Sequence, residues 1–367
     1  MTLVLKSNNA ASNSTGNVHG MSGPTDFVAM LDFSRDEYYT VLSGDRADYS
    51  LSNAVSVSRS SVAPYALRDG VMRSASANIP RRHYLSSVDA EGLLVMNARQ
   101  NLLSSGGAGG VSIPGATEWT ILSYTGGSAE LSHANLTLES TRIVDGRTVK
   151  AYSRSPTSTI TATLSVSGAT DLQVELASGG RCASPFMGYS ATVAIESASL
   201  HAPFKDLLAS GVGTVVVRSV ALRGADADTR NFTPVAVQTS SPLGGVAVTS
   251  SRTTGSSGTD NGAVYADGAA WNGSTDTASV TGNWRDSMVH AIGFDGFGDN
   301  FTVASFGQIS KSTGNGAVFG APTAILIGGA SAYASAPNRC CSIITHVVIY
   351  QRMLTDDELL IIANQWV

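Results

Sequence analysis

Apolar residues in this chain recur mostly at a spacing of two, the mark of strands buried on one face. Ala54-Val55-Ser56-Val57-Ser58 alternates cleanly, and Ile343-Ile344-Thr345-His346-Val347-Val348-Ile349-Tyr350 alternates over a longer stretch. Further strands are predicted at Phe27 to Phe33, Trp119 to Tyr124, Ala129 to His133, Thr148 to Ser153, Thr159 to Val166 and Asp171 to Leu176. The same pattern predicts strands at Gly213 to Val220, Phe232 to Val237, Gly245 to Val248, Ser287 to Phe294 and Asn300 to Phe306. Asp69-Gly70 and Asp145-Gly146 are hairpin turn signals, because both positions tolerate a left-handed backbone. Long helical periods are nearly absent. A helical turn is predicted around Phe204 to Leu208, and a capped helix follows Thr355. Thr355 and Glu358 have the spacing of a capping box, and Asp356 and Asp357 add negative charge where the helix dipole favours it.

Read together, these elements predict an all-β protein: an N-terminal arm and strand-rich region followed by two antiparallel β-sandwiches, the last ending on a short helix. The divisions are residues 1–25, polar and docking; 26–105, a strand-rich region; 106–190, the first sandwich; and 191–367, the second. Gly106-Gly107-Ala108-Gly109-Gly110 marks the break between the second and third of these. The Gly/Asp/Asn/Ser-rich stretch 251–283 reads as an elaborated loop.

Composition supports this reading. Hydrophobic residues make up 43% of the 367, enough to fill real cores, whereas charged residues are only 14%, against roughly 25% in an ordinary soluble protein. Hydroxyl and small residues fill the difference, as outer sheet faces and tight turns require. The net charge of −5 and the lack of any basic run argue against nucleic acid as a partner. No apolar run is long enough to span a membrane as a helix, and the N-terminus lacks the pattern of a signal peptide. Cys182, Cys340 and Cys341 have no metal-ligand spacing and read as small buried hydrophobes of a chain made in a reducing cytoplasm.

Three stretches carry resemblances. From Ser58 to Leu103 the order is Ser58-Arg59-Ser60-Ser61, Tyr65, Asp69-Gly70, Ala77-Asn78-Ile79-Pro80-Arg81-Arg82-His83-Tyr84, then Gly92-Leu93-Leu94-Val95-Met96-Asn97-Ala98-Arg99-Gln100-Asn101-Leu102-Leu103. This resembles an N-terminal run of tailed-bacteriophage structural proteins, of the tail-fibre and head-spike type. Met96-Asn97 departs from it, standing where such proteins often have an acidic residue. The C-terminal order, ending on Val347-Val348-Ile349-Tyr350-Gln351-Arg352 and Leu354-Thr355-Asp356-Asp357-Glu358-Leu359, resembles laminin-G-like (concanavalin A-like) jelly rolls. Gln173 to Ala177 with Ser184-Pro185-Phe186 resembles the closing strand of a carbohydrate-binding-module-like sandwich. These resemblances imply a non-enzymatic virion component assembled in a bacterial host's cytoplasm. They imply a homo-oligomer, most simply a trimer, with other capsid or tail proteins and host-surface polysaccharide as partners. The competing expectation is a carbohydrate-active enzyme or secreted lectin.

Candidate chemistry is sparse. Glycosidases of the jelly-roll superfamily place paired acids on one strand face, and no such strand is present; Glu175 stands alone and Glu358 is a helix cap. The six histidines have no ligand spacing, and there is no nucleophile elbow or phosphate loop. Asp295 to Asn300 and Asp260-Asn261-Gly262 offer oxygens suited to calcium, but the same pairs build turns. No cofactor or metal is expected. Sugar recognition stacks a ring on an exposed aromatic, and Tyr265 and Trp271 are the candidates because they fall in the 251–283 stretch. Trp119, Trp284 and Trp366 are assigned to packing.

Overall fold

The computed structural model describes residues 15–18, 21–86, 89–96, 99–115, 119–155, 158–177, 183–194, 196–221, 230–239, 245–252, 261–270, 274–283, 287–295, 301–311, 320–328 and 342–365. The chain is all-β, with 59% of residues in strands and 8% in helices. Among the described residues the strands pair antiparallel, with one isolated parallel bridge between Ser128 and Gly168.

The larger sandwich stacks a ten-stranded sheet on a seven-stranded one. Its organiser is the strand Ser342–Tyr350. One edge of that strand pairs along its length with Gly213–Ala221. The other edge is shared: Leu93 to Val95 pair with Ile344 to Ser342, and Ala29 to Asp32 pair with Ile349 to His346. Gly92 allows this junction, since a Cβ there would lie 1.7 Å from the Ile343 side chain. In the seven-stranded sheet, Val55–Ser58 pairs with Ser197–Leu200, which continues into Pro322–Ile327 and Arg230–Thr239. Alternate residues of the two sheets meet in one core. Leu31, Val215, Val217, Ile292, Val347 and Ile349 face Val55, Val57, Leu200, Val235, Val237, Ile325 and Ile327. Each such aliphatic side chain contributes about 1.5–3 kcal/mol on burial.

This pairing differs from the expected division of the chain. Residues 26–105 do not stand as a collar beside the C-terminal jelly roll; their strands supply members of both its sheets. Only long-range pairing carries that information, because each segment reads locally as an ordinary short strand. The stretch 251–283, expected as a loop, contains the strands Asn261–Ala270 and Ser274–Asn283. Their Ala, Gly and Ser content hides a period of two that pairing with Gly245–Arg252 enforces.

The outer side of the ten-stranded sheet is covered. Met30, Val216, Val289, Val348 and Tyr350 pack against Leu354, Leu359 and Ile362 of the C-terminal segment. The helix Asp356–Ala363 carries the expected capping box between Thr355 and Glu358. Arg352 grips both Glu358 and Asp26, pinning the helix start to the N-terminal segment.

The smaller sandwich lies between Asn101 and Ser190. A three-stranded sheet of Gly109–Ile113, Ile160–Ser167 and Ser128–Ser132 faces a four-stranded sheet of Leu136–Val144, Arg147–Arg154, Trp119–Thr125 and Thr170–Ala177. Ile113, Leu131, Ala162 and Leu164 meet Leu122, Tyr152, Leu172 and Val174 between them. Its chain leaves and re-enters the larger sandwich through a two-stranded neck, in which Arg99 pairs with Val193 and Gln100 with Thr192. It is therefore an insertion within the larger sandwich.

Two buried polar clusters fix the neck. In one, Glu196 accepts from Arg59 Nη1 at 2.5 Å, from Arg81 Nη1, and from the Met96 backbone N–H at 2.7 Å. Arg59 and Arg81 spend other donors on the carbonyls of Ser61, Ser76, Ile79 and Pro64. In the other, Asn101 accepts from the Leu103 and Val174 N–H groups and donates to the Leu172 and Gly188 carbonyls.

Candidate ligand-binding surface

The seven-stranded sheet carries, on the side away from the core, a row in continuous register. It runs Ser56, Ser199, Leu326, Ala236, Ala247, Asp267, Thr277. Ser56 sits between the core residues Val55 and Val57, so the pleat turns it outward. Its hydroxyl meets that of Ser199 at 2.8 Å. Ser56, Ser199 and Leu326 are half-buried rather than packed away. At this end of the row two neighbouring hydroxyls are within reach of a polar ligand, whereas Ala236 further along is fully buried.

Tyr265 falls two positions along from this row, in register with Thr249 and Ser279. Its register is one step out from Val280, which is buried in the core. Trp271 lies outside the described residues, as do Trp284 and Trp366. The structure therefore puts Tyr265 on the strand Asn261–Ala270 rather than in a loop. Trp119 is half-buried and packs on the outer layer of the four-stranded sheet, as expected for a packing residue.

The acids singled out by sequence have structural partners. Glu175 is fully buried, accepts from the Ser184 N–H and hydroxyl at 2.7 Å each, and has Arg99 Nε 3.8 Å away. Glu358 is held by Arg352 and the Thr355 cap, which depress its carboxyl to about 2. Sequence reasoning missed the buried Glu196, because no local motif marks an acid whose two arginines lie more than a hundred residues upstream.

The described histidines are dispersed, His83, His290 and His346 buried and His133 and His201 half-buried. His290 is fully buried, and burial pushes its imidazole down to about 3; its Nδ1 meets the Ser305 hydroxyl at 3.3 Å. Burial likewise holds His83 near 4, with Nδ1 accepting from the Ala66 N–H. Among the described residues no group of three or more His, Cys, Asp or Glu is arranged to hold a metal. Of the loops weighed for calcium, Asn261 and Gly262 lie in a strand, while Asp260 and 296–300 fall outside the described residues. So do Cys182, Cys340 and Cys341. No described helix is long and apolar enough to cross a membrane.

Fold and surface define a two-sandwich, all-antiparallel β-protein with a hydroxyl-lined sheet face. No family model and no curated protein matches the chain. Among solved structures it is similar to the CBM40 of the Ruminococcus gnavus IT-sialidase, at 12% identity and a TM-score of 0.31 over 42% of this chain and 84% of that one. The same CBM40 bound to alpha2,3 sialyllactose aligns at a TM-score of 0.30, with 12% identity over 42% and 83%. The leech intramolecular trans-sialidase aligns at 0.31, with 12% identity over 44% of this chain and 24% of that one. Overlaps this loose carry no argument about function.

Proposed function

We propose that this chain is a non-enzymatic structural protein of a tailed-bacteriophage virion that presents its sandwiches to host-surface glycans. The observation that carries the glycan part is the half-buried Ser56–Ser199 hydroxyl pair on the seven-stranded sheet, with Tyr265 on a strand of the same sheet. The virion part rests on the resemblance of Ser58 to Leu103. That run builds the core strand Ala90–Val95 and both arginines of the Glu196 cluster, so it belongs to the scaffold of the large sandwich. The non-enzymatic part is supported by the buried acids Glu175 and Glu196, whose oxygens are engaged by arginines, a serine and backbone N–H groups. Such a protein works in many copies, so weak sugar contacts add up by avidity. A homotrimer, docked on capsid or tail proteins through its N-terminal arm, fits that demand.

The test is a bacterial polysaccharide array probed with the full chain, wild type against Trp271→Ala and Tyr265→Ala. Binding that drops at least tenfold in a variant supports the reading. No binding by wild type, or binding untouched by both changes, overturns the assigned face. Gold-labelling of the C-terminus on purified particles tests the virion role, and unlabelled particles refute it. Release of reducing sugar, lost on changing a carboxylate, would instead establish the enzyme alternative.

A further inference from the structure

A second surface lies on the inserted sandwich, away from the Tyr265 face. Arg147 rises from the strand Arg147–Arg154 on the side of the four-stranded sheet that also bears Ser123. Its Nη2 donates to the Ser123 hydroxyl at 2.9 Å and to the Asp171 carbonyl at 2.8 Å. Both acceptors are neutral. Among the described residues no carboxylate lies within ion-pair distance of this guanidinium, and its buried Nε has no hydrogen-bond partner. Burial lowers its pKa, so the charge is held in a poorly solvated place. The carboxylates of Asp171, Glu175 and Asp145 act on this charge only from beyond direct contact, so a bound anion adds the charge-assisted hydrogen bond it lacks.

An aromatic surface adjoins it. The Arg147 guanidinium lies 5.5 Å from the Phe186 ring centre, and Phe186 meets Tyr189 edge-on at 5.6 Å. Tyr189 is 40% exposed, a large ring left open beside a half-buried Phe–Arg contact. It is flanked by two left-handed residues, Gly188 at φ 86° and Ser190 at φ 56°. Ser190 takes that conformation at a cost of about 1 kcal/mol or more. Gly106 makes room for the tyrosine, since a Cβ there would lie 2.3 Å from its hydroxyl. The return segment is thereby bent to hold Tyr189 out.

We propose that Arg147, Phe186 and Tyr189 form a binding site for a carboxylate-bearing sugar, the pyranose ring stacking on Tyr189 and the carboxylate meeting the free side of the Arg147 guanidinium. The site rests on neither Tyr265 nor Trp271, and it would give the inserted module a glycan preference of its own.

The experiment is isothermal titration of the full chain with a hexuronate trisaccharide, a nonulosonate-capped trisaccharide and a neutral galactose trisaccharide. Binding of either acidic probe, at least tenfold tighter than the neutral one, is expected, and which acid binds identifies the source. Tyr189→Ala should weaken both kinds of sugar, while Arg147→Gln should abolish the acidic preference. Trp271→Ala should leave it intact, which separates this site from the sheet face. Tyr189 is exposed, so its variant stays informative if Arg147→Gln disturbs folding. Equal binding of acidic and neutral sugars, no binding, affinity unchanged by Tyr189→Ala, or an acidic preference that survives Arg147→Gln overturns the proposal.

Discussion

Removing the Glu196 carboxylate should destabilise the large sandwich more than any surface substitution can. Glu196 is 2% exposed, and Arg59 and Arg81 are 1% and 2% exposed. Truncation to alanine strands two guanidiniums and leaves the Met96 N–H without its 2.7 Å acceptor. Deleting one member of a buried ion pair costs about 3–5 kcal/mol, and an orphaned buried N–H adds about 1–3 kcal/mol. The arginines keep the carbonyls of Ser61, Ser76, Ile79 and Pro64, which holds the total near the lower end. The expected loss for Glu196→Ala is about 3–5 kcal/mol, with Glu196→Gln milder because one acceptor oxygen survives. Urea unfolding followed by far-ultraviolet circular dichroism measures it, with the exposed Glu139→Ala as control, expected to shift stability by about 0.5 kcal/mol or less. A loss below about 1 kcal/mol for Glu196→Ala would refute the cluster as a buried clamp.

The fragment 191–367 should be unfolded on its own, because Ser342–Tyr350 loses both partners on one edge; a dispersed amide NMR spectrum from it would refute the shared-sheet assignment. His290 should make the fold acid-sensitive. Its folded pKa of about 3 lies below the unfolded 6.5, so the unfolded state binds the proton first. Stability is full above about pH 6.5 and falls by up to about 1.4 kcal/mol per pH unit as pH drops towards 3. His290→Met should flatten that slope in urea titrations between pH 6.5 and 4, and an unchanged slope counts against it. Glu358 has its carboxyl depressed to about 2, so its contribution is present above about pH 4.5 and lost as pH falls through 2. Glu358→Gln should cost about 1 kcal/mol at pH 7, and the gap to wild type should close in acid.

The chain's own pattern determined its elements and much of their chemistry. Period-two runs marked Trp119–Thr125, Ile160–Ser167, Gly213–Ala221 and Ser342–Tyr350 to within a residue or two. The Asp69-Gly70 and Asp145-Gly146 turns and the Thr355–Glu358 cap were readable because they rest on neighbours in sequence. The strand Leu136–Val144 escaped notice because it lies at a sheet edge, where Leu138 and Ile143 are exposed and alternation fades. The candidate site was legible only as a composition: an aromatic residue among small polar ones named Tyr265, but nothing local placed it on a strand. Tertiary structure alone decided that residues 29–58 and 90–95 complete the C-terminal sandwich, and that 101–190 is an insertion. It also decided that Glu196 lies between Arg59 and Arg81, and that Arg147 meets Phe186. A strand's period tells which face is apolar, yet any apolar face fits many partners. The choice among them is made by the packing of whole sheets and the pairing of buried charges, which no window of neighbouring residues contains.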